Sequence, residues 1–276
     1  MFPEILKCPV CASQLTKQDR HYECVDHHTF DLAREGYLNL ILNAKKTAGD
    51  AKEMMRARQQ FLNAGYYEPL SDHINQLLTV IFDSSVKNNI VDVGCGEGYY
   101  LSRFQQLTEL SKMSNVDFYG MDISKVGIKM AAKRNANIHW LVANFAQLPF
   151  FDKSVKTILS MFAEYHISEF SRILQENGKI IIVRAGKHHL TELKEIIYPE
   201  IHEKSAQAID NEKFKTFSIQ KAPLTYKTTI NNSADIQHLL LMTPHYWKIK
   251  PDSLERLKNY KQLEITVDID IDILSN

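Results

Sequence analysis

The chain has 276 residues, 44% of them hydrophobic, with 33 basic and 33 acidic side chains and a formal net charge of zero. That length accommodates one large α/β domain plus a small module, and the even charge balance removes any argument for nucleic-acid binding from overall charge. No apolar run approaches the roughly 20 residues that cross a bilayer, and MFPEILKCPV lacks a basic stretch followed by a long apolar core, so a soluble cytoplasmic protein is expected.

Three of the four cysteines lie in the first 24 residues. Cys8, Cys11, Cys24 and His28 form the pattern C-x2-C-x12-C-x3-H. A tetrahedral zinc site needs soft thiolates and imidazole at short spacings, with a chain return between the pairs, and Gln14–Glu23 can supply that return as a hairpin. Buried thiols without metal would leave so short a module hard to fold. His28 has the usual spacing for the fourth ligand, with His27 and His21 as neighbours that could compete. Four protein ligands would make the zinc structural. Residues 1–43 are expected to form this module.

Residues 44–87 read as a connector. Ala44–Asp50 is polar and linker-like. Ala51–Ala64 is a helix candidate with Met54, Met55, Ala57, Phe61 and Leu62 as its apolar stripe, and with Lys52, Arg56 and Arg58 on its other face, either solvated or meeting phosphate. Pro69 opens a second helix. Between them Tyr66 or Tyr67 could cover a bound cofactor or sit in the core.

Residues 88–276 alternate strand and helix. Ile90, Val91 and Val93 predict a buried strand that turns on Gly94, Gly96 and Gly98 into a helix from Tyr99. Such a turn leaves backbone amides and a helix N-terminus open to a ligand. Asp92 and Glu97 put acidic groups on the same ground, which suits a cationic or sugar-bearing cofactor better than phosphates. Further strands are expected at Phe118–Asp122, Ile138–Ala143, Val155–Phe162 and Gly178–Val183. Helices are expected at Ser124–Asn135, with Ser124 as N-cap, and at Ile167–Leu174. Later, Phe214–Ile230 holds one or two strands, Ala234–Met242 a short helix, and Leu263–Ile273 a half-exposed strand of period two. The fold class is therefore α/β, a Rossmann-like doubly wound sheet, with ligands at the carboxyl ends of its strands. There Asp122 can accept ribose hydroxyls, and Asn144 can reach an adenine edge. A nicotinamide fingerprint would be G-x-G-x-x-G with an acid about 20 residues on. This chain has G-x-G-x-G, a later acid and N-x-x-x-L-P-F, which looks like a class I S-adenosylmethionine-dependent methyltransferase.

Joined to the cysteine module, these stretches narrow the field. CPVC, CVDHHTFDLAREGYLNL, GDAKEMMRARQQFLNAGYY, VDVGCGEGYY, GMDISKVGIKMAAKR, LPF, HLTELK and LMTPHYW together resemble the RlmA family of 23S ribosomal RNA (guanine-N1)-methyltransferases over nearly the whole chain. The resemblance implies zinc at Cys8, Cys11, Cys24 and His28, and S-adenosylmethionine contacts from Tyr67, Gly96, Glu97 and His189. It also implies a homodimer whose paired zinc modules help form a cleft for a 23S ribosomal RNA hairpin. Two departures stand out. Glu164 replaces the family's usual proline, and Gln175–Gly178 replaces a turn with proline and two glycines.

Phe162 at the end of the fourth strand could stack on the guanine, and Glu164 could bond its edge or take its proton. Lys45, Lys46, Lys52, Arg56, Arg58, Lys125, Lys129, Lys133, Arg134, Arg184, Lys187 and His188 are the local basic groups available to RNA, while Asp268–Asp272 should face away from it. The competing readings are a small-molecule methyltransferase braced by zinc and a non-catalytic ribosome-associated RNA-binding protein.

Overall fold

The computed structural model describes residues 5–42, 52–199 and 214–276; the expected linker Ala44–Asp50 lies outside them. The N-terminal segment folds as three short antiparallel strands, β1 (Thr16–Lys17), β2 (His21–Glu23) and β3 (Thr29–Asp31). The hairpin expected over Gln14–Glu23 is thus β1 and β2. The next strand, β4 (Leu38–Asn39), leaves this sheet and joins the large one by pairing parallel to β7 (His139–Val142).

The connector is two helices, α1 (Lys52–Asn63) and α2 (Glu68–Ile81), the second opened by Pro69. The α/β part follows as β5 (Asn88–Val93), α3 (Tyr99–Leu110), β6 (Val116–Asp122), α4 (Lys125–Arg134), β7, β8 (Val155–Met161), α5 (Ile167–Ile173) and β9 (Leu174–Ala185). Ser124 caps α4, its hydroxyl accepting the Gly127 N–H at 3.2 Å. The chain continues through α6 (Thr191–Ile197), β10 (Ser218–Lys221), β11 (Leu224–Ile230), α7 (Ser233–Leu241), a short 3-10 turn at Pro244–Lys248, α8 (Pro251–Lys258) and β12 (Leu263–Ser275).

The strand order is β10-β12-β9-β8-β5-β6-β7-β4, with β11 beside β10 along the same side of β12. β5 to β9 run parallel, and β12 inserts antiparallel to β9. The half-exposed strand expected at Leu263–Ile273 is therefore an interior one. Its apolar residues pack into the core while Asp272 is buried against Arg184, with which it ion-pairs. The β9 strand begins four residues earlier than expected. The departure at Gln175–Gly178 sits inside it, with Asn177 taking the left-handed conformation (φ 56°) that asparagine tolerates better than most side chains.

The two faces of the sheet are covered differently. Ile90, Phe118, Trp140, Leu159 and Ile181 share a core with the helices α1 to α4 and α6 to α8. Val91, Val93, Tyr119, Met121 and Leu141 face the other way, onto Leu6, Leu15, Tyr22, Phe30 and Leu38 of the cysteine module and onto Phe170 and Ile173 of α5. Lys7 N–H to the Pro149 carbonyl (3.1 Å) and Phe151 N–H to the Ile5 carbonyl (3.0 Å) stitch the module to the loop after β7. A continuous strand buried on both faces needs two apolar layers, and here the module and α5 together contribute to the second.

Candidate methyl-donor site and zinc centre

The metal centre is built by the local chain. Cys8 Sγ, Cys11 Sγ, Cys24 Sγ and an imidazole nitrogen of His28 all lie within 4.8 Å of one another. The Cys24 sulfur is 3.5 Å from Cys11 Sγ and 3.2 Å from His28 Nδ1, and it also accepts the His28 N–H. His27 turns away to an exposed pair with Glu23 at 2.6 Å, as the adjacent residue in a tight turn must when its neighbour faces inward. Three thiols and one imidazole converging in this way, with the Ser13 hydroxyl 3.0 Å from Cys11 Sγ beside them, fit four-coordinate Zn2+ held wholly by protein ligands.

The second site gathers at the carboxyl ends of the parallel strands. After β5 the chain turns through Gly94 (φ 84°), Gly96 (φ 57°) and Gly98 (φ 80°). A Cβ on Gly94 would lie 2.3 Å from the Ala163 Cβ, so the loop after β8 closes directly onto the turn. Asp122, ending β6, is fully engaged in shaping it: Oδ2 accepts the Gly96 N–H at 2.9 Å and Oδ1 the Ser124 N–H at 2.7 Å.

Asp92 and Glu97 are each about 1% exposed. Among the described residues, Asp92 Oδ1 and Glu97 Oε1 are buried with no hydrogen-bond partner, while Glu97 Oε2 accepts from Arg134 of α4. Burial, with the nearby Asp122 charge adding to it, pushes the Asp92 carboxyl up to about 8. Burial also raises Glu97, against the pull of Arg134 and Arg58. Two orphaned carboxyl oxygens beside a glycine cradle are the donor-hungry surface that a cationic, hydroxyl-bearing ligand would satisfy.

Two aromatic walls flank this ground. Tyr67, at the start of α2, is buried, and its hydroxyl stands 3.3 Å from His189 Nε2. The Asp268 N–H donates to His189 Nδ1 at 3.3 Å, so Nδ1 is the acceptor and Nε2 carries the proton toward the tyrosine oxygen. Burial first, then the Lys194 charge, lowers His189 to about 4 and keeps it neutral. Phe162 lies over the same imidazole, rings 6.1 Å apart and 26° from parallel. It is 44% exposed and left-handed (φ 54°), a strained placement for an aromatic side chain. Asn144 and Glu164 are exposed on the loops after β7 and β8; the Asn144 side chain accepts the Ala146 N–H within its own turn.

The expected basic surface is smaller than the sequence suggested. Lys129 pairs with Glu35, Arg134 with Glu97 and Arg184 with Asp272, each held by a carboxylate on a neighbouring segment. Asp268 accepts from His188 N–H and Thr225 Oγ1, so it braces the loop that carries His189. Arg58 overturns its expected place on the outer face of α1. Its Nη1 would be 3.2 Å from a Cβ on Gly96, which puts it against the glycine turn. The signal was available: Arg58 is three or four residues from Met54, Met55, Phe61 and Leu62, and so lies in the middle of the buried stripe.

This topology, with its glycine turn after the first parallel strand and an acid ending the next, defines a class I S-adenosylmethionine-dependent methyltransferase. Residues 6–48 match the family described as "RlmA, N-terminal" and residues 90–181 match "Methyltransferase domain". A Bacillus subtilis (strain 168) protein, YxjB, provisionally named a 23S rRNA (guanine-N(1)-)-methyltransferase, is 32% identical over 273 residues, covering 97% of this chain and 95% of its own. The 23S rRNA (guanine(748)-N(1))-methyltransferase of Streptomyces fradiae is 29% identical over 260 residues, 91% of this chain and 89% of its own. The chain belongs to the RlmA family of 23S ribosomal RNA (guanine-N1)-methyltransferases. Its cofactors are accordingly S-adenosylmethionine and a structural zinc ion in the N-terminal module.

Proposed function

We propose that this protein transfers the methyl group of S-adenosylmethionine to N1 of a guanine in a hairpin loop of 23S ribosomal RNA. The observation that carries the reading is the pairing, in one chain of this family, of a zinc module with a methyl-donor site whose acceptor side presents the exposed, strained ring of Phe162.

The bound cofactor supplies an activated methyl group, so the protein's main task is alignment. Gly94, Gly96, Glu97 and Asp92 line the donor cradle. Asp122 holds the turn open through the Gly96 N–H and lies where ribose hydroxyls would come, with Asn144 beyond it for the adenine edge. Tyr67 and His189 close the donor side. A guanine swung out of a loop would stack on the outer face of Phe162, whose inner face is supported by His189. The N1–H bond must break as the N1–methyl bond forms; the methyl–sulfur pair stays on sulfur, and the proton needs an acceptor. Glu164, two residues beyond Phe162 and exposed, is assigned that role.

Residues 1–43 would serve RNA recognition, residues 44–87 the connection and residues 88–276 the transfer. No described helix is long and apolar enough to cross a membrane. A cytoplasmic homodimer completes the reading; family membership supports it, and sedimentation equilibrium tests it. Transfer of tritiated methyl to unmodified 23S ribosomal RNA, with the label mapped to 1-methylguanosine, is the expected outcome. Label only in small molecules, or tight RNA binding without turnover, would overturn it. Glu164→Gln should slow single-turnover transfer and flatten its pH dependence; an unchanged profile removes Glu164 from the mechanism.

A further inference from the structure

We propose that Trp247, with Lys194 and Lys248 beside it, forms a second RNA subsite that stacks an unpaired loop nucleotide flanking the guanine on Phe162. The inference rests on reading the acceptor as a hairpin of ribosomal RNA.

The stretch LMTPHYW closes α7 and runs into the 3-10 turn Pro244–Lys248. Three residues per turn put Pro244 and Trp247 on one edge, and both are exposed, while Tyr246 and Ile249 pack against the helical core. Trp247 is 67% exposed. The Tyr246 ring lies 5.3 Å from it and 71° from parallel, so it braces the indole and can meet only one of its faces. His245 ties the turn to the end of α6, its Nδ1 hydrogen-bonded with the Tyr198 hydroxyl at 2.9 Å.

That anchor leads back to the acceptor side. The helix α6 begins two residues after His189, the imidazole that supports Phe162. Lys194 of α6 acts by its charge on both His189 and His245, which places it between them. Lys248 follows Trp247 and acts on His245 from the other side. Rings and cations therefore alternate from Phe162 to Lys248, the pattern that a single strand meets when bases stack and the intervening phosphates are neutralised.

Charge separates this edge from the other exposed apolar ground. The groove between α2 and α3, with Val80 and Leu110 at its rim, has its arginine, Arg103, paired with both Glu68 and Asp72. Around Trp247, Glu192 is turned to Thr266 of β12 and Glu255 to Lys258, leaving Glu195 and Asp252 against Lys194, Lys248 and Lys250. An exposed indole among cations accepts a base of any sequence, so Trp247 would hold the loop while Phe162 presents the reacting guanine.

Binding to an unmodified 23S ribosomal RNA transcript tests this without methyl transfer. Trp247→Ala should weaken it about 5- to 50-fold, and Trp247→Phe should restore most of the loss. Neither should move S-adenosylhomocysteine affinity by more than about twofold, which reports an intact fold. Affinity for a fully paired RNA duplex should be unchanged, because its bases are not free to stack. The chain has two tryptophans and Trp140 is buried, so a single-stranded oligonucleotide of mixed sequence should quench the indole emission of wild type and not that of Trp247→Phe. Replacing Lys194 and Lys248 by alanine should lower the salt dependence of transcript binding by about 0.7 in log–log slope per lysine. Equal transcript binding by wild type and Trp247→Ala, or equal weakening on the duplex, would overturn the subsite. The expected losses in a wild type that forms no 1-methylguanosine would instead break the proposed transfer and leave the subsite standing.

Discussion

The zinc centre and the methyl-donor site are built on opposite plans. The metal centre takes all four ligands from one short stretch, Cys8 to His28, and its geometry is closed by turns within that stretch. The proposed donor site draws Tyr67, the glycine turn, Asp122, the loop at Phe162–Glu164 and His189 from segments that only the completed sheet brings together. Local construction makes the first site depend on its ion and little else. Distributed construction makes the second depend on every element around it, while each single contact is modest.

That contrast can be tested hardest at the metal. Removing zinc with a chelator should unfold the module, since structural zinc contributes on the order of 10 kcal/mol to such sites. Val91, Val93, Tyr119, Met121 and Leu141 would lose much of their cover. Circular dichroism should show the thermal midpoint falling by about 10 °C or more. Below that midpoint, S-adenosylhomocysteine affinity should change by less than about threefold. Retention of the midpoint and of RNA methylation by the zinc-free protein would break the account.

At the donor site the largest single effect is expected at Gly94→Ala. A left-handed alanine whose Cβ meets Ala163 at 2.3 Å should cost about 2–4 kcal/mol in denaturant titration and displace the Phe162 loop, abolishing measurable cofactor binding.

Asp92→Asn should act in two directions. The folded-state carboxyl lies near 8, above its unfolded value, so its stabilisation is full below the ordinary carboxyl range and disappears as pH rises toward 8. The asparagine variant should therefore unfold about 1–2 kcal/mol harder than wild type at pH 8 without ligand, with a flatter pH profile between 4 and 8, yet bind S-adenosylhomocysteine at least about tenfold more weakly. Equal pH profiles would show that Asp92 is ionised and partnered in the folded chain. The smallest effect belongs to Asn144→Ala, whose side chain accepts the Ala146 N–H within its own loop: under about 0.5 kcal/mol in stability and a few-fold in cofactor affinity.

Legibility in the sequence follows the same division. Cys8, Cys11, Cys24 and His28 were readable because metal geometry constrains spacing along the chain. Ser124 and Asp122 were readable because caps and strand ends leave local marks. Nothing local marks Ala163 as the residue that closes on Gly94, or shows that Arg184 belongs to Asp272. The burial of Val91 and Val93 was evident from their type, yet that a zinc module, with α5, covers them could come only from the fold. Arg58 is a different case: helical spacing put it in the buried stripe, and its charge drew it to the wrong face.

The parallel pairing of Leu38 with Leu141 and Asn39 with Val142 has a consequence for how the protein is made. Synthesis proceeds from the N-terminus at roughly 5–20 residues per second, so β4 must wait on the order of 5–20 s for its partner strand to exist. The module can take up its ion early because every ligand is already present by His28. During the interval its Leu6, Leu15 and Tyr22, destined for the back of the sheet, stand against water or a chaperone. Metal loading and sheet closure are thus separate events in time, the first open to the chain once His28 is made and the second only once β7 exists.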